Sequence, residues 1–504
     1  MKIFGMRFFG KPESAAEKKN KDIKNKSKGK DIKSRDLKNR MNKRIAAVSY
    51  CSLIIFVFLI LYLVYFLASD NSEILSNPYN GKRQDLMNER VIRGNIYTSD
   101  GTCIAETKIK KNGSEERYYP YDNMFAHAVG YVGNGKTGIE STYNMYMLTS
   151  SINPVYAAIE ELKGNKNPGD SVITSLEWDI QKTAYDALGN RKGAVIAMEP
   201  DTGRIIAMVS RPDFNPNTIR NDWESLTGDN SSDSALLNRA TQGLYPPGST
   251  FKLVTLIEYL RENGDYKDFE YECNGKDVLD DAAIKCYNSK KHGLEDIRKA
   301  YAKSCNCAFA SMGVSLNVDR LSKLCETLLF NKSLSCRFEY KSSSFVLDKN
   351  STSAEVVQTV IGQGKTMISP LHNAMLACMV ANGGYMVTPT LVDSIQNNSG
   401  REIKKFGGNI SEQILSDSEV KFIDKCMKET VTAGTATALS GGGYEAGGKT
   451  GSAEYDSTGA SHAWFIGYAK KDEKSIAVSI IVEGAGTGSD YAVPIAKKIF
   501  DAYY

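Results

Sequence analysis

One run of uncharged residues limits what this chain can fold into. Residues Ile45–Ala68 read IAAVSYCSLIIFVFLILYLVYFLA, 24 positions without a charged side chain. A helix of that length is roughly 36 Å long, enough to cross a hydrocarbon core of about 30 Å with some tilt. A cleaved signal peptide has a shorter apolar region of about 7–15 residues behind a short basic start. The run therefore predicts a retained transmembrane anchor.

Charge is distributed unevenly on the two sides of this run. Residues 1–44 contain 16 Lys/Arg and 5 Asp/Glu, a net charge of +11 in a chain whose total is +4. The remainder is mildly acidic, which disfavours nucleic-acid binding because that function needs a basic face. Basic residues flank only the N-terminal side, so we expect residues 1–44 in the cytoplasm and residues 69–504 outside the plasma membrane. The basic segment is expected to be a disordered tail that sets topology, with contact to anionic lipid heads as the alternative.

The outer part of the chain changes character near residue 168. Residues 69–168 are polar and rich in turns, with short strand-like runs at Asn95–Tyr97 and Ala128–Val132. Their number suits a small pedestal or dimerisation-like domain and is too small for a second large catalytic domain. Residues 169–504 are then expected to form the main globular domain.

Apolar runs in that larger region predict two pairs of strands. They are Gly193–Pro200 with Arg204–Ser210, and His462–Ala469 with Ser475–Glu483. Helical periodicity occupies most of the remainder, at Phe251–Glu262, Leu294–Val314, Val318–Phe330, Ser369–Asn382, Ser416–Thr432 and Val493–Tyr503. First and last strands around a helical middle predict an α/β fold of the α+β type, with one antiparallel sheet between helices.

Ten cysteines are present, and nine of them follow the apolar run, an odd number for a disulfide framework. No Cys-x-x-Cys pair occurs and the chain has only four His, so zinc-type ligand spacing is absent. We expect most of the cysteines to be small buried hydrophobic residues. Cys273 and Cys286 lie in a turn-rich segment on the oxidising side, where a disulfide between them would stabilise by roughly 3 kcal/mol. Two free thiols are the alternative.

Three short motifs carry the candidate chemistry: Ser249-Thr-Phe-Lys252, Ser304-Cys-Asn306 and Lys449-Thr-Gly-Ser452. Each is weak alone, since Ser-x-x-Lys also occurs at Ser27–Lys30 and Ser418–Lys421. Only Ser249 follows a chain breaker, Pro-Pro-Gly, directly before an apolar helix, which places it at a helix N-terminus where developing negative charge is stabilised. Lys252 shares its helix face, and a buried lysine of lowered pKa can activate a serine.

Together the three motifs resemble the active-site set of penicillin-binding proteins and serine β-lactamases. Further segments resemble class B penicillin-binding proteins: Arg93-Gly-Asn-Ile-Tyr97, Gly138-Ile-Glu140, Gly193–Ser210, Asn238-Arg239-Ala240, Gly362-Gln363-Gly364 and Ala463-Trp464-Phe465. The resemblance runs from about residue 90 to the end of the chain. It implies a five-stranded antiparallel sheet between helical layers, and no cofactor, metal or nucleotide.

The resemblance also implies roles for the residues of the first two motifs. Ser249 would be the acylated nucleophile and Lys252 its base. Ser304 would join the proton relay and Asn306 would bind the substrate amide. Cys305 stands where β-lactamases typically have Asp; we expect it to point away from the substrate and to be an ordinary packed thiol.

The third motif would recognise the substrate. Lys449 would supply positive charge near the terminal carboxylate of the substrate and Thr450 would hydrogen-bond to it. Gly451 and Ser452 would continue the substrate-binding strand. The oxyanion hole would consist of the backbone N–H groups of Ser249 and Ser452.

The resemblance implies a peptidoglycan D,D-transpeptidase that β-lactams acylate, with a membrane glycosyltransferase as partner. A β-lactamase, a D,D-carboxypeptidase and a β-lactam sensor are alternatives on the same fold. Residues Gly443–Thr450 also match the phosphate-binding pattern Gly-x-x-x-x-Gly-Lys-Thr, which requires a strand before it and a helix after it. The neighbouring residues favour neither element, so we do not expect a nucleotide site.

Overall fold

The computed structural model describes residues 15–68, 81–228, 234–264, 266–455 and 460–504. These fall into two units that divide after residue 75. In the first unit a single helix, Ala15–Ala68, contains the whole apolar run and is long and apolar enough to cross a membrane. The expectation of a disordered basic tail is wrong for residues 15–44, which form one helix with the apolar run. Lysine and arginine, which are abundant in this segment, have good helix propensity. Residues 1–14 lie outside the described residues.

A five-stranded antiparallel sheet forms the centre of the second unit. Its strands in chain order are β1 (Gly193–Met198), β2 (Ile205–Arg211), β3 (Glu445–Glu454), β4 (Ser461–Lys471) and β5 (Lys474–Val482). They lie side by side in the order β2-β1-β5-β4-β3. The predicted α+β fold and both predicted strand pairs are confirmed, and the motif that begins at Lys449 lies on the edge strand β3.

Helices cover both faces of this sheet, so its strands are apolar on both sides. Val195 and Ile196 are adjacent on β1 and belong to separate buried clusters on opposite faces. Helices Trp178–Leu188 and Gly488–Tyr503 pack on the Val195 side. On the other side lies Pro370–Ala381, in which all twelve residues are buried. Each large apolar side chain buried here stabilises the fold by about 1.5–3 kcal/mol.

Three helices position the candidate site: α1 (Lys252–Glu262), α2 (Ile297–Ala302) and α3 (Asn306–Val314). The predicted helical stretch Leu294–Val314 is therefore divided, with a strand at Gly293–Glu295 and a break at Ser304. The remaining helices of this region, including single 3-10 turns, are Trp223–Thr227, Gly248–Phe251, Tyr266–Asp268, Tyr287–Ser289, Val318–Thr327, Ser353–Val360, Asp417–Thr432 and Thr437–Leu439. Its smaller strands are Tyr271–Cys273, Lys276–Leu279, Ala282–Lys285, Tyr385–Val387, Val392–Gln396, Glu402–Lys405 and Ile410–Gln413.

The segment before the sheet is a mixture of short elements. Its helices are Gly81–Arg90, Asp122–Phe125, Ala126–Val129, Gly138–Thr142, Asn144–Met147 and Pro154–Leu162. Its strands are Val91–Ile92, Ile96–Tyr97, Cys103–Ile109, Glu115–Tyr118, Val132–Gly133, Gly135–Lys136, Asn167–Pro168 and Ser171–Thr174. The strand expected at Ala128–Val132 is wrong, because Ala126, Ala128 and Val129 bury one side of a short helix that Gly130 ends with a φ of +83°.

A six-stranded sheet joins residues from both sides of the predicted boundary at residue 168. Strands from residues 96–118 and 171–174 pair in one sheet with Val392–Gln396 and Glu402–Lys405. The boundary itself remains a prediction.

A buried ion triad stabilises the segment before the sheet and brings its two motifs together. The Arg93 Nε and Arg117 Nε donate to the carboxylate of Glu140 at 2.7 and 2.6 Å, and all three side chains are at least 90% buried. Burial opposes ionisation of Glu140, but Arg117 and Arg93 lower the pKa of its carboxyl below the ordinary value. The charged form, and its contribution to stability, is therefore present above the unfolded pKa of about 4.3 and is lost as the pH falls.

Candidate active site

Ser249 lies on a short turn at the beginning of a buried helix. Gly248–Phe251 forms one 3-10 turn that continues directly into α1. Gly248 has a φ of +55°, and a Cβ there would lie 2.9 Å from the carbonyl oxygen of Ser452. Glycine is required because the left-handed conformation and the close approach both exclude a side chain. The turn therefore places Ser249 beside β3.

Two segments distant in sequence hold this turn in place. The Gly248 N–H donates to the carbonyl oxygen of Gly362 at 2.8 Å, and a Cβ on Gly362 would lie 1.8 Å from the Gly248 oxygen. On the other side, the Trp464 indole N–H donates to the carbonyl oxygen of Pro246 at 3.1 Å. The Gly362-Gln363-Gly364 and Ala463-Trp464-Phe465 segments therefore support the nucleophile turn.

Lys252, the first residue of α1, is fully buried beneath the turn. Its Nζ donates to the carbonyl oxygen of Ser304 and to Asn306 Oδ1, each at 2.8 Å, and lies 3.3 Å from Ser304 Oγ. Burial lowers the pKa of Lys252 to about 8, because desolvation disfavours the ammonium form. An amine with a pKa near the working pH can act as a general base.

Ser304 occupies a strained position between α2 and α3. The N–H groups of Ser304 and Cys305 both donate back to carbonyl groups of α2, in the pattern of a Schellman C-cap. Ser304 has a φ of +60° at the position where such caps usually carry glycine. A non-glycine residue in this conformation costs about 1–2 kcal/mol. Strain held at one residue of a cleft is typical of functional sites.

The edge strand β3 supplies the third motif. Lys449 is fully buried, with its Nζ 5.5 Å from the ring centroid of Tyr301. Burial and then repulsion from Lys252 lower the pKa of Lys449 well below its ordinary value. Thr450 points the other way, and its Oγ1 lies 2.5 Å from Thr435 Oγ1.

The three motifs line one cleft of about 510 Å³. Six of the eight predicted site residues are on its wall, namely Ser249, Ser304, Asn306, Thr450, Gly451 and Ser452. The other two, Lys252 and Lys449, are buried, and Lys252 touches the wall through Ser304 and Asn306. The structure therefore brings together all the residues that the motifs predicted. Their hydroxyl groups line the cleft, and the amines of Lys252 and Lys449 are buried behind its wall.

Several residues of this wall were not predicted. Thr435 follows helix Asp417–Thr432 in a loop of small residues and has no motif that could have marked it. Gln363 lies in a segment noted for its glycines, and it lines the cleft. Residues 285–292 form one side of the cleft through a polar, turn-rich stretch that no sequence pattern related to Ser249.

The disulfide considered for Cys273 and Cys286 does not form. Both cysteines are free, and their Sγ atoms lie 3.7 Å apart, in contact but unbonded. The expected direction of Cys305 is found, since its Sγ is buried and faces Cys286 at 3.7 Å. Cys286 therefore contacts both Cys273 and Cys305, and these three thiols form one buried cluster.

The phosphate-loop pattern at residues 443–450 belongs to a different structure. Lys449 and Thr450 lie in the middle of the continuous strand β3, and a further strand, β4, follows them in place of a helix. A strand has no set of free backbone N–H groups at a helix N-terminus to bind phosphate.

A five-stranded antiparallel sheet between helices, with these three motifs around one cleft, defines the class that contains penicillin-binding proteins and serine β-lactamases. The model of the penicillin binding protein transpeptidase domain matches residues 193–501. That of the penicillin binding protein A dimerisation domain matches residues 93–172. The chain belongs to the penicillin-binding-protein transpeptidase family, with the domain content of class B members.

Relatives with the same arrangement are known from several bacteria. Peptidoglycan D,D-transpeptidase PbpA of Mycolicibacterium smegmatis is 28% identical over 84% of this chain and 92% of its own length. A D,D-transpeptidase domain of a peptidoglycan glycosyltransferase from Eggerthella lenta superposes with a TM-score of 0.74 at 29% identity, covering 82% of this chain and 98% of that one. Penicillin-binding protein A of M. tuberculosis, solved as a penicillin G acyl-enzyme complex, has a TM-score of 0.73 at 26% identity, covering 82% and 99%.

Proposed function

We propose that this protein is a peptidoglycan D,D-transpeptidase that cross-links stem peptides through an acyl-enzyme on Ser249 and is inhibited when β-lactams acylate that residue. The observation that carries the proposal is the position of Ser249, Ser304 and Thr450 on one cleft whose wall is in contact with the buried amine of Lys252. The activities for which the relatives are named support it.

The reaction is acyl transfer in two steps. Ser249 Oγ attacks the carbonyl carbon of the penultimate D-Ala while Lys252 takes the hydroxyl proton. The peptide bond breaks, the terminal D-Ala leaves with a proton on its amine, and an ester remains on Ser249. A side-chain amine of a neighbouring stem peptide then attacks the ester and restores the Ser249 hydroxyl.

Ser304 and Asn306 connect the base to the substrate. Ser304 Oγ lies 3.3 Å from Lys252 Nζ, so it can pass the proton towards the leaving amine. The Asn306 Oδ1 accepts from Lys252, and one hydrogen of its Nδ2 is donated to the carbonyl oxygen of Lys285 at 3.0 Å. The amide has a second N–H, which remains for a substrate carbonyl group.

The third motif binds two groups of the substrate, the terminal carboxylate and the oxygen of the carbonyl that Ser249 attacks. The Thr450 hydroxyl, with its partner Thr435, receives the terminal carboxylate. Lys449 takes up full positive charge when that carboxylate arrives, because the new anion offsets the burial that lowers its pKa. The backbone N–H groups of Ser249 and Ser452 form the oxyanion hole. One such donor stabilises the transition state by about 2.7–4 kcal/mol in comparable enzymes. Gly451 has no side chain and so leaves space for the substrate beside the strand.

The helix Ala15–Ala68 anchors the protein in the plasma membrane, with the basic segment in the cytoplasm and the catalytic region outside. The excess of Lys and Arg before residue 45 supports this orientation. A membrane glycosyltransferase of the cell-wall machinery supplies the glycan strands. This protein contacts the glycosyltransferase through residues 45–168.

Acylation and orientation are tested together with a fluorescent penicillin that does not cross the membrane, added to intact cells that express the full chain. We expect covalent label on a peptide that contains Ser249 and no label on the Ser249→Ala variant at equal expression. The control is Ser452→Ala in the same cleft. This variant loses a serine hydroxyl but keeps the backbone N–H proposed for the oxyanion hole, so it should still be labelled. Label on Ser249→Ala, or label that requires broken cells, would contradict the proposal.

Transfer is distinguished from hydrolysis by the fate of the acyl group. The full chain is incubated with uncross-linked lipid-linked polymer and a partner glycosyltransferase, and the muropeptides are analysed. We expect cross-linked dimers to exceed trimmed tetrapeptide monomers, because transfer needs a second peptide held in attack geometry while water is excluded. Free D-Ala without dimers would identify a carboxypeptidase.

A further inference from the structure

A second groove opens from the active-site cleft. Its volume is about 760 Å³. The hairpin of strands Lys276–Leu279 and Ala282–Lys285 contributes most of the residues that line the groove alone. The proposed acyl transfer takes place in the cleft and leaves this groove without a role. Five residues line both the groove and the cleft, namely Lys285, Asn306, Ile361, Gln363 and Glu454.

The direction of β3 indicates which part of a substrate would enter the groove. Thr450, Ser452 and Glu454 alternate with the residues between them and so share one face of this strand. In the proposed complex, Thr450 receives the terminal carboxylate and the Ser452 N–H receives the oxygen of the scissile carbonyl. The stem residues before the scissile bond therefore leave the cleft past Ser452, towards Glu454 at the end of β3. Glu454 is where the cleft and the groove join.

Two lysines lie opposite each other on the exposed side of the hairpin. Lys276 is the cross-strand partner of Lys285, and both are exposed. Like charges directly opposite on neighbouring strands destabilise the pairing. Within the part of the chain that the structure describes, neither ammonium group forms an ion pair, and the neighbouring Asp277 carboxylate accepts from the Tyr271 hydroxyl and the Val278 N–H. The fold therefore gains nothing from this pair of charges, whereas an anionic ligand would bind between them.

The remaining lining suits an extended peptide with small side chains. Val278 is 65% exposed and, with its cross-strand partner Ala283, continues the exposed side of the hairpin beyond the lysines. Ile361 adds an apolar residue where the groove joins the cleft. Gln358 and Gln363 also line the groove, and an amide side chain can both donate to and accept from a peptide group.

We propose that this groove binds the part of the donor stem peptide that precedes the scissile bond, and that Lys276 and Lys285 select a stem with a free carboxylate there. The inference rests on the function proposed for the cleft. Directly opposite residues have Cβ atoms about 4.5–5.5 Å apart, so both ammonium groups can reach one carboxylate and form charge-assisted hydrogen bonds with it. A stem in which that carboxylate is an amide loses this attraction. The two lysines determine specificity and do not touch the reacting atoms.

The test measures transfer by the full chain from two uncross-linked lipid-linked polymers, with the partner glycosyltransferase present. The stem glutamate carries a free carboxylate in one polymer and a carboxamide in the other. The acceptor is a fluorescent stem peptide without the D-Ala-D-Ala end, so it cannot act as donor. We expect the free-carboxylate stem to be transferred at least about fivefold faster, and this preference to shrink as the ionic strength rises.

Variants of the hairpin show whether the two lysines cause the preference. In the double variant Lys276→Ala/Lys285→Ala, the ratio of the two transfer rates should fall to within about twofold. The control is Lys291→Ala, which removes an exposed lysine that lines neither the groove nor the cleft and should keep the ratio of the unaltered chain. A preference for the amide, or an undiminished ratio in the double variant, would overturn the role of the lysines.

A competition measurement tests the groove without turnover. Soluble stem peptides of the two kinds compete with a fluorescent penicillin for Ser249. The free-carboxylate peptide should slow labelling at the lower concentration, and this difference should be lost in the double variant, whose labelling without peptide shows that it is folded. Different competition without any transfer product would refute only the proposed transfer. Equal competition, or transfer at equal rates, would refute only this inference.

Discussion

The proposed base makes the rate of acylation depend on pH. Lys252 is buried, and its pKa is lowered to about 8. Only the neutral amine can take the Ser249 proton, so the rate should follow the neutral fraction. For a pKa of about 8 that fraction is roughly 9% at pH 7, 50% at pH 8 and 91% at pH 9. The rate of acylation therefore rises with pH and then reaches a plateau.

The assay is stopped-flow acylation of the full chain by a chromogenic cephalosporin between pH 6.5 and 9.5 at constant ionic strength. Spontaneous hydrolysis of the cephalosporin is subtracted at each pH. We expect the second-order rate constant to rise about fivefold from pH 7 to 8 and less than about twofold from pH 8 to 9. Lys252→Ala should be slower by at least ~10²-fold and should lose this inflection.

A matched control is Lys290→Ala, which removes an exposed lysine of the same cleft. It should keep the inflection near pH 8, since its amine does not contact the proton relay. A rate that is flat or falls across the range would refute the assignment of a neutral Lys252 as base. An inflection that persists in Lys252→Ala would place the titrating group elsewhere.

Two further predictions concern the scaffold. Glu140→Ala leaves two buried guanidinium groups without a counter-charge, so the free energy of unfolding measured in urea should fall by roughly 3–5 kcal/mol. The control Glu160→Ala, at an exposed ion pair, should leave the midpoint of urea unfolding unchanged. Equal midpoints for the two variants would contradict a stabilising triad. Gly362→Ala puts a Cβ 1.8 Å from the Gly248 oxygen, and Gly364→Ala adds the same positive-φ strain with its nearest atom at 3.6 Å. Penicillin labelling should therefore fall at least about tenfold in Gly362→Ala relative to Gly364→Ala, a difference of about 1.4 kcal/mol. Equal labelling of the two variants would show that the contact between Gly362 and Gly248 does not position Ser249.

Local patterns explain why much of the site could be predicted. Pro-Pro-Gly before Ser249 dictates a turn into a helix, and a lysine three residues on then lies on the same face. The apolar runs of β1 and β2 need burial on both sides, which only a sheet between helices provides. Such features depend on neighbours within a few residues, so composition and period are enough to find them.

Other features depend on which segments meet. The helix period continues through residues 294–314, but the left-handed Ser304 divides it, because tertiary contacts with Lys252 override local propensity. Thr435 has no motif, and reaches Thr450 only because the helix before it packs on β3.

By itself the sequence determined the long apolar helix, the family and the three motifs, since each is written in contiguous residues. Only the tertiary structure decided the state of the cysteines. Cys273, Cys286 and Cys305 are separated by 13 and 19 residues, intervals that match no metal-binding pattern and that left a disulfide open. Folding places them around His292 because burial of the surrounding apolar residues fixes the backbone of the segments that carry them. Side chains far apart in sequence meet at one point only when the core that holds those segments has formed.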